Sequence, residues 1–188
     1  EEDLVSVLKI AKEAAKVSRI AFVGGIIRDQ LLHNFHELPL PKFKDIDLIV
    51  EGSASMLGKE IQAIIGNEKV IISKKNKVLN TIQIKIGEIY IDIASARVET
   101  YENPGENPKV IQASIEEDLK RRDFTVNAIA LDISKNTLID PFNGINDIKQ
   151  RKLKFLHSNS VQDDPSRVIR AARYASRLNF HLDKESIK

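Results

Sequence analysis

Leu4, Val7, Leu8, Ala11, Ala14 and Ala15 recur at helical spacing, and the short apolar run from Arg19 to Val23 then reads as a strand entering Gly24 and Gly25. Beyond the glycine pair, Ile27, Leu31, Leu32 and Phe35 fall on one helical face until Pro39 and Pro41 break the chain into a loop. A second strand is expected from Lys44 to Val50. Met56, Leu57, Ile61, Ile64 and Ile65 mark another amphipathic helix, ended at Gly66, and residues 70–72 give a short strand. Ile82, Ile84 and Ile86 alternate with polar residues, and only Gly87-Glu88 separates them from the run Ile89 to Ala94, a hairpin signal whose leading glycine favours a type II′ turn. Residues 97–113, rich in Pro, Asn, Gly and Glu with little periodicity, predict a mobile loop too long for a simple connector. Ser114 and Glu117 have capping-box spacing ahead of a short helix that runs into Arg121, Arg122 and Asp123. Residues 128–133 and 137–139 read as a second hairpin. From Asp163 onward the pattern is helical, with Val168, Ala171, Ala172, Ala175 and Leu178 on the apolar side. The sum is an α+β fold: a mixed sheet flanked by helices.

A chain of 188 residues with 42% hydrophobic content has enough material for a substantial core, and one domain plus an appendage is the natural division. Twenty-nine basic against 27 acidic residues leave a net charge of +2, which does not single out a nucleic-acid partner. The lack of cysteine excludes disulfides and cysteine-ligated zinc or iron–sulfur sites, and the four histidines show no metal-binding spacing. No apolar run approaches the roughly 20 residues that span a bilayer, so no membrane association is expected. A cytoplasmic setting is the expectation. The opening Glu1 in place of Met points to a trimmed chain, and the oligomeric state is left open.

Candidate chemistry begins in the second strand. Alternation puts Ile46, Leu48 and Val50 on one face, which leaves Asp45 and Asp47 together on the other. Like charges held that close repel, and hard carboxylate oxygens suit Mg²⁺ with its waters and substrate phosphates. In the strand after the hairpin, Ile89, Ile91 and Ile93 alternate with Tyr90, Asp92 and Ala94, so Asp92 is expected to face the first pair from a nearby strand. Phosphoryl transfer at three such acids uses two metals about 4 Å apart. An isolated Asp-x-Asp also reads as a solvated strand edge; the third acid and the glycine turn separate the two readings.

The glycine turn lies where a strand becomes a helix, so backbone amides and the helix dipole converge on a spot suited to phosphate, with Arg28 one turn further as a forked donor. The defining residues of the dinucleotide and Walker fingerprints are missing.

On these residues the sequence resembles the class II CCA-adding enzymes and bacterial poly(A) polymerases. VGGIIRDQLL followed by DIDLIV looks like the first motif, and IDIASARVETY, EEDLKRRDFTVNAIA, LIDPFNGINDI and DDPSRVIRAARYASRLNF resemble the successive motifs in order. The resemblance implies a polymerase β-like nucleotidyltransferase head over 1–154 and the start of a helical neck over 155–188, with the family's body and tail lying beyond. It implies Asp45, Asp47 and Asp92 as metal-binding catalytic carboxylates for two Mg²⁺ ions. It further implies that Gly24, Gly25 and Arg28 contact the triphosphate, that Arg122, Asp123 and Asn127 hold sugar and phosphates, and that Asp123 accepts a ribose hydroxyl.

The resemblance also places base reading on Asp164 and Arg167, an acceptor beside a forked donor. Cytosine and adenine both offer an amino donor next to a ring-nitrogen acceptor, whereas uracil and guanine reverse that order. Arg170, Arg173 and Arg177 continue along the helix toward phosphates or RNA. Asp163 departs from the family pattern, which usually has Glu there. The implied partners are the tRNA 3′ end, CTP and ATP, and the implied reaction is template-independent addition of C, A or both with release of pyrophosphate. Without body and tail, poor RNA affinity is expected, and the loop over 97–113 is expected to help switch specificity. Bacterial poly(A) polymerase is the alternative, but its family carries an arginine-rich stretch before the third carboxylate that IQIKIGEIYID lacks. A non-catalytic nucleotide- or RNA-binding module is the other alternative, and the intact acids argue against it.

Overall fold

The computed structural model describes residues 2–39, 44–100, 109–158 and 160–183. It opens with α1 (Glu2–Ala14), β1 (Ile20–Val23), α2 (Gly25–His36), β2 (Asp45–Val50) and α3 (Ala54–Ile65). There follow β3 (Val70–Asn76), β4 (Thr81–Ile86), β5 (Ile89–Ser95), β6 (Arg97–Thr100), β7 (Lys109–Gln112) and α4 (Ile115–Lys120). A 3₁₀ turn at Thr125–Asn127 leads to β8 (Ala130–Asp132), β9 (Thr137–Ile139), α5 (Gly144–Lys149), β10 (Lys152–Leu153), α6 (Ser160–Asp163), α7 (Ser166–Leu178) and β11 (His181–Leu182).

Seven of these strands form one sheet in the order β3-β4-β5-β2-β1-β8-β9. β2 and β5 run parallel, and the other neighbours in this sheet are antiparallel, which gives the expected mixed sheet. Strand alternation sorts the sheet into two faces. On one, Ile46, Leu48, Ile82, Ile84, Ile91 and Ile93 are buried with Val7 of α1 and Ala54, Leu57 and Ile61 of α3. Gly58 lets α3 come close: a Cβ there would lie 2.8 Å from Ile82. The other face is split. Over β1 and β2, Ala21, Val23 and Ile49 are buried with Ile115 and Leu119 of α4. Over β4, Thr81, Gln83 and Lys85 remain partly exposed.

A further core joins Ile27, Leu31 and Leu32 of α2 to Phe124, Val126, Ile148 and Ala171 and Leu178 of α7. The β10–β11 pair clamps the far end of α7 back onto the chain, with Lys152 opposite His181 and Leu153 opposite Leu182. No helix among the described residues is long and apolar enough to cross a membrane.

Several local expectations need correction. The loop expected over 97–113 is bounded by an antiparallel ribbon, β6 with β7, pairing Arg97 with Gln112 and Thr100 with Lys109; residues 101–108 lie outside the described ones. The short strand at 70–72 continues to Asn76, carried past a bulge by its ladder with β4. On α7, Val168 is 52% exposed and Ala172 is exposed, so the buried side is narrower than expected and runs through Ala171 and Leu178 with Tyr174 and Ala175 partly covered. Two local signals fold as read. Ser114 and Glu117 form a reciprocal capping box on α4, and Gly87 has φ 56°, as a primed hairpin turn demands.

Candidate active site

In the parallel β2–β5 ladder, Asp47 stands opposite Asp92 and Asp45 opposite Tyr90. Residues directly opposed in a ladder point to the same side, so the three acids share the sheet face away from α1 and α3. Burial raises the Asp47 pKa above the ordinary carboxyl value; Arg122 pulls it down, and Asp92 and Asp45 push it further up. The Asp92 carboxylate accepts from the Gln83 amide nitrogen at 3.0 and 3.1 Å. Among the described residues no three His, Cys, Asp or Glu side chains are gathered closely enough to hold a metal ion. The donor chemistry nevertheless fits a divalent cation: the oxygens are hard, the three acids occupy adjoining register positions, and Asp47, raised first by burial and then by the charges of Asp92 and Asp45, is a carboxylate whose ionised form a cation would favour.

Gly24 caps α2 with φ 72° and ψ −135°. A Cβ at that position would sit 3.2 Å from Asp47 Oδ2 and 3.7 Å from Arg122 Nη1. The turn therefore lies directly beside the acids, and a side chain there would occupy the space between Asp47 and Arg122. At Gly25 an added Cβ would meet Arg28 Nη2 at 3.5 Å. Arg28 itself is only 3% exposed. Its Nη1 donates to Asn127 Oδ1 at 2.7 Å, its Nε donates to Asp29 Oδ1 at 2.7 Å, and its guanidinium lies 5.1 Å from the centre of the Tyr174 ring.

The segment after α4 completes the surround. Asp118, fully buried, accepts from Arg97 N at 3.2 Å, from Arg121 Nε at 2.9 Å and from Arg122 Nη2 at 3.3 Å. Burial lowers the Arg122 pKa, and Asp118 works against that shift. Asp123 is 3% exposed, and its Oδ1 accepts from Phe124 N at 2.8 Å and Asn127 Nδ2 at 3.0 Å. Its Oδ2 accepts from both Nε and Nη2 of Arg170. Burial opposes the charge of Arg170, and the hydrogen bond and charge of Asp123 outweigh it, leaving the Arg170 pKa raised. A continuous chain therefore runs from Arg28 through Asn127 and Asp123 to Arg170, tying α2 to α7.

Asp164 lies just ahead of α7. Its Oδ1 accepts from the Ser166 amide at 3.0 Å and the Ser166 hydroxyl at 2.5 Å, and the hydroxyl bond leads the lowering of its pKa. Arg167 Nε is 3.9 Å from Asp164 Oδ2. The same guanidinium donates to Ser160 Oγ at 2.6 Å and to the Arg121 carbonyl at 3.1 Å, while its buried Nε has no hydrogen-bond partner. Arg173 is exposed on α7, and Arg177 approaches Asp29 Oδ2 at 3.6 Å. The side chain of Asp163 lies outside the described residues.

Sequence reasoning did not single out Gln83, Asp118, Asp29 or Tyr174. Asp118 carried a readable signal, since its spacings of three and four to Arg121 and Arg122 bring the charges onto one helical face. Gln83 and Tyr174 reach the site only through strand register and helix packing.

Acids on an open sheet face thus stand beside a glycine-opened helix and a group of partly or largely buried arginines. A model of the poly(A) polymerase head domain matches residues 20–154, and the chain belongs to that family. It is 40% identical over 173 residues to the A-adding tRNA nucleotidyltransferase of Aquifex aeolicus, covering 90% of this chain and 20% of that protein. It is 33% identical over 175 residues to the CC-adding tRNA nucleotidyltransferase of Deinococcus radiodurans, covering 92% of this chain and 44% of that protein. A solved tRNA nucleotidyltransferase complexed with a primer tRNA and an incoming ATP analog superposes with a TM-score of 0.76 at 38% identity, over 96% of this chain and 47% of that one. The chain thus spans less than half the length of these relatives.

Proposed function

We propose that the chain is the catalytic head and the start of the neck of a tRNA nucleotidyltransferase that adds C, A or both to the tRNA 3′ end. The substrates are CTP and ATP, the product besides the extended RNA is pyrophosphate, and the setting is cytoplasmic. The division falls between residues 154 and 155. The observation that carries this reading is the β2–β5 register, which sets Asp47 opposite Asp92 beside a glycine turn whose positive φ a side chain would strain.

Asp45, Asp47 and Asp92 would hold two Mg²⁺ ions, whose chemistry when bound is to acidify the attacking 3′ hydroxyl and to neutralise the departing pyrophosphate. Gly24, Gly25 and Arg28 lie where the triphosphate would rest, with the first turn of α2 supplying backbone N–H donors. Arg122 is already held by Asp118 and interacts electrostatically with Asp47, and so adds positive charge without being reoriented. Asn127 and Asp123 brace Arg28 and meet the sugar. Asp164 accepts from the exocyclic amino group of cytosine or adenine, and Arg167 donates to the neighbouring ring nitrogen. The protein itself then acts as template. Arg170 and Arg173 lie on the nucleotide and RNA side of α7.

The test is nucleotidyl transfer by the full-length protein on tRNAs ending before CCA, after C and after CC, with each triphosphate supplied separately alongside Mg²⁺. Incorporation of C, A or both on the matching acceptors, lost in Asp45→Ala, is the expected result. Untemplated A tracts on RNAs unlike tRNA would assign a poly(A) polymerase instead, and no incorporation by a folded protein would leave a binding module.

A further inference from the structure

A line of polar side chains crosses the open part of the sheet and ends on the third carboxylate. Gln83 stands opposite Asp92 in the β4–β5 ladder, and its amide nitrogen reaches both carboxylate oxygens, at 3.0 and 3.1 Å. On the other side of β4, the β3 register shifts between Ile72 and Lys74, which makes Ser73 the extra residue of a bulge. A bulge releases one residue from the ladder and re-aims its side chain. The Ser73 hydroxyl lies 2.7 Å from the Gln83 side-chain oxygen and 3.3 Å from the Gln83 carbonyl.

Chemistry fixes the direction of each bond. An ionised carboxylate can only accept, so the amide nitrogen of Gln83 must face Asp92, and the amide oxygen is left facing Ser73, whose hydroxyl has a proton to give. The amide is neutral. It orients Asp92 without cancelling the negative charge that draws a cation, as an arginine in its place would. A carboxylate has about four lone-pair sites, so one amide group leaves acceptor capacity for a metal ion.

We infer that Gln83 is a positioning residue for Asp92, locked in its amide orientation by Ser73 from the β3 bulge. Together they preset the third carboxylate for the metal ions that the three acids would hold. This rests on the nucleotidyl-transfer reading given above.

The test pairs transfer kinetics with direct binding of Mn²⁺, followed by the electron paramagnetic resonance signal of the free ion, in the full-length protein with CTP present. Gln83→Met is expected to weaken Mn²⁺ binding and to lower kcat by about tenfold or more, the usual effect of losing a group that braces a metal ligand, while KM for CTP stays unchanged. Ser73→Ala is expected to cost about fivefold in both, as the loss of one neutral hydrogen bond would, and Ser73→Thr, which keeps the hydroxyl, restores them. Because Ser73 acts only through Gln83, Ser73→Ala adds nothing in the Gln83→Met background. Additive effects in the double variant, or Mn²⁺ binding by a folded Gln83→Met protein equal to that of the unsubstituted one, overturn the inference. The unsubstituted protein and Asp92→Asn separate it from its premise. No transfer by the folded, unsubstituted protein would sink the nucleotidyl-transfer reading itself; normal transfer by Asp92→Asn would remove Asp92 from the metal site and the inference with it; an inactive Asp92→Asn beside a normal Gln83→Met overturns only the role of Gln83.

Discussion

Replacing Gly24 with alanine probes the glycine turn and the acid site in one step. The residue sits at φ 72° and ψ −135°, a region that L side chains avoid, and holding a non-glycine residue in such a conformation costs about 1–3 kcal/mol. The new Cβ would also lie 3.2 Å from Asp47 Oδ2 and 3.7 Å from Arg122 Nη1. Both are ends of side chains that can yield, so the contact moves the site more than it unfolds the protein. Gly87→Ala is the control: it too has positive φ, 56°, but nothing lies within 4 Å of its added Cβ. In a domain of this size each kcal/mol shifts the thermal midpoint by about 2–4 °C. Gly24→Ala is therefore expected to lower the midpoint by several degrees while retaining the fold by circular dichroism, and to lose most of its nucleotidyl transfer. Gly87→Ala is expected to lose stability alone. Equal activity in the two variants would refute the placement of Gly24 against Asp47, and an unchanged midpoint in Gly24→Ala would refute the backbone argument.

Asp118→Ala leaves Arg122 largely buried without its carboxylate and removes a partner from Arg121 and the Arg97 amide, for an expected loss of about 3–5 kcal/mol in urea unfolding. The raised pKa of Asp47 means that its protonated form is the one the folded state favours, so its contribution is present at low pH and is lost as pH rises through the folded value. Asp47→Asn should therefore unfold at a higher temperature than the unsubstituted protein at pH 7 in EDTA, with the difference shrinking toward pH 4, and should lack transfer. Arg170→Ala strips a charged hydrogen bond from Asp123, at an expected cost of about 1.5–3 kcal/mol, and faster amide exchange along α7 would register it. Arg167→Lys gives up the planar fork while keeping the charge, and misincorporation of UTP or GTP should rise by the equivalent of about 1–3 kcal/mol of lost discrimination.

The parts of this molecule that could be read from sequence are those whose physics is local. Alternation over Asp45–Val50 and Thr81–Ser95 separates a buried isoleucine-rich face from a polar one, so the acids could be placed on a common side before any strand was paired. Ser114 and Glu117 specify a helix start with atoms three residues apart. What could not be read depends on pairing across the chain. β7 is largely exposed, β6 buries the charged Arg97 rather than an apolar residue, and the two flank a Pro- and Asn-rich stretch, so neither shows an apolar period, and only their mutual ladder makes them strands. β10 and β11 are two residues each, joined across nearly 30 positions, with no local signal at all. On α7 the apolar residues outnumber the places to bury them: Val168 and Ile169, at 52% and 74% exposure, lie near the Asp164 end, ahead of the stretch where Ala171 and Leu178 join the α2 core.

The same division runs through the candidate site. Asp45, Asp47, Asp92 and Arg28 could be named from residue type and spacing, and Arg122, Asp123, Asp164 and Arg167 only through the family resemblance, while the contacts that hold them could not be read either way. Asn127 matters here because it accepts from Arg28, 99 positions away, while donating to Asp123, whose other oxygen takes Arg170. That geometry gives α7 a mechanical role beside the chemical one proposed for it. The helix that would read the base through Arg167 is braced, through Arg170, Asp123 and Asn127, against the arginine that would hold the triphosphate. Loosening any link should disturb phosphate binding and base choice together. Transfer kinetics on Asn127→Ala therefore test the coupling: KM for CTP and the preference for CTP over UTP are expected to change in concert, and a change in one alone would show that the two halves of the site are held independently.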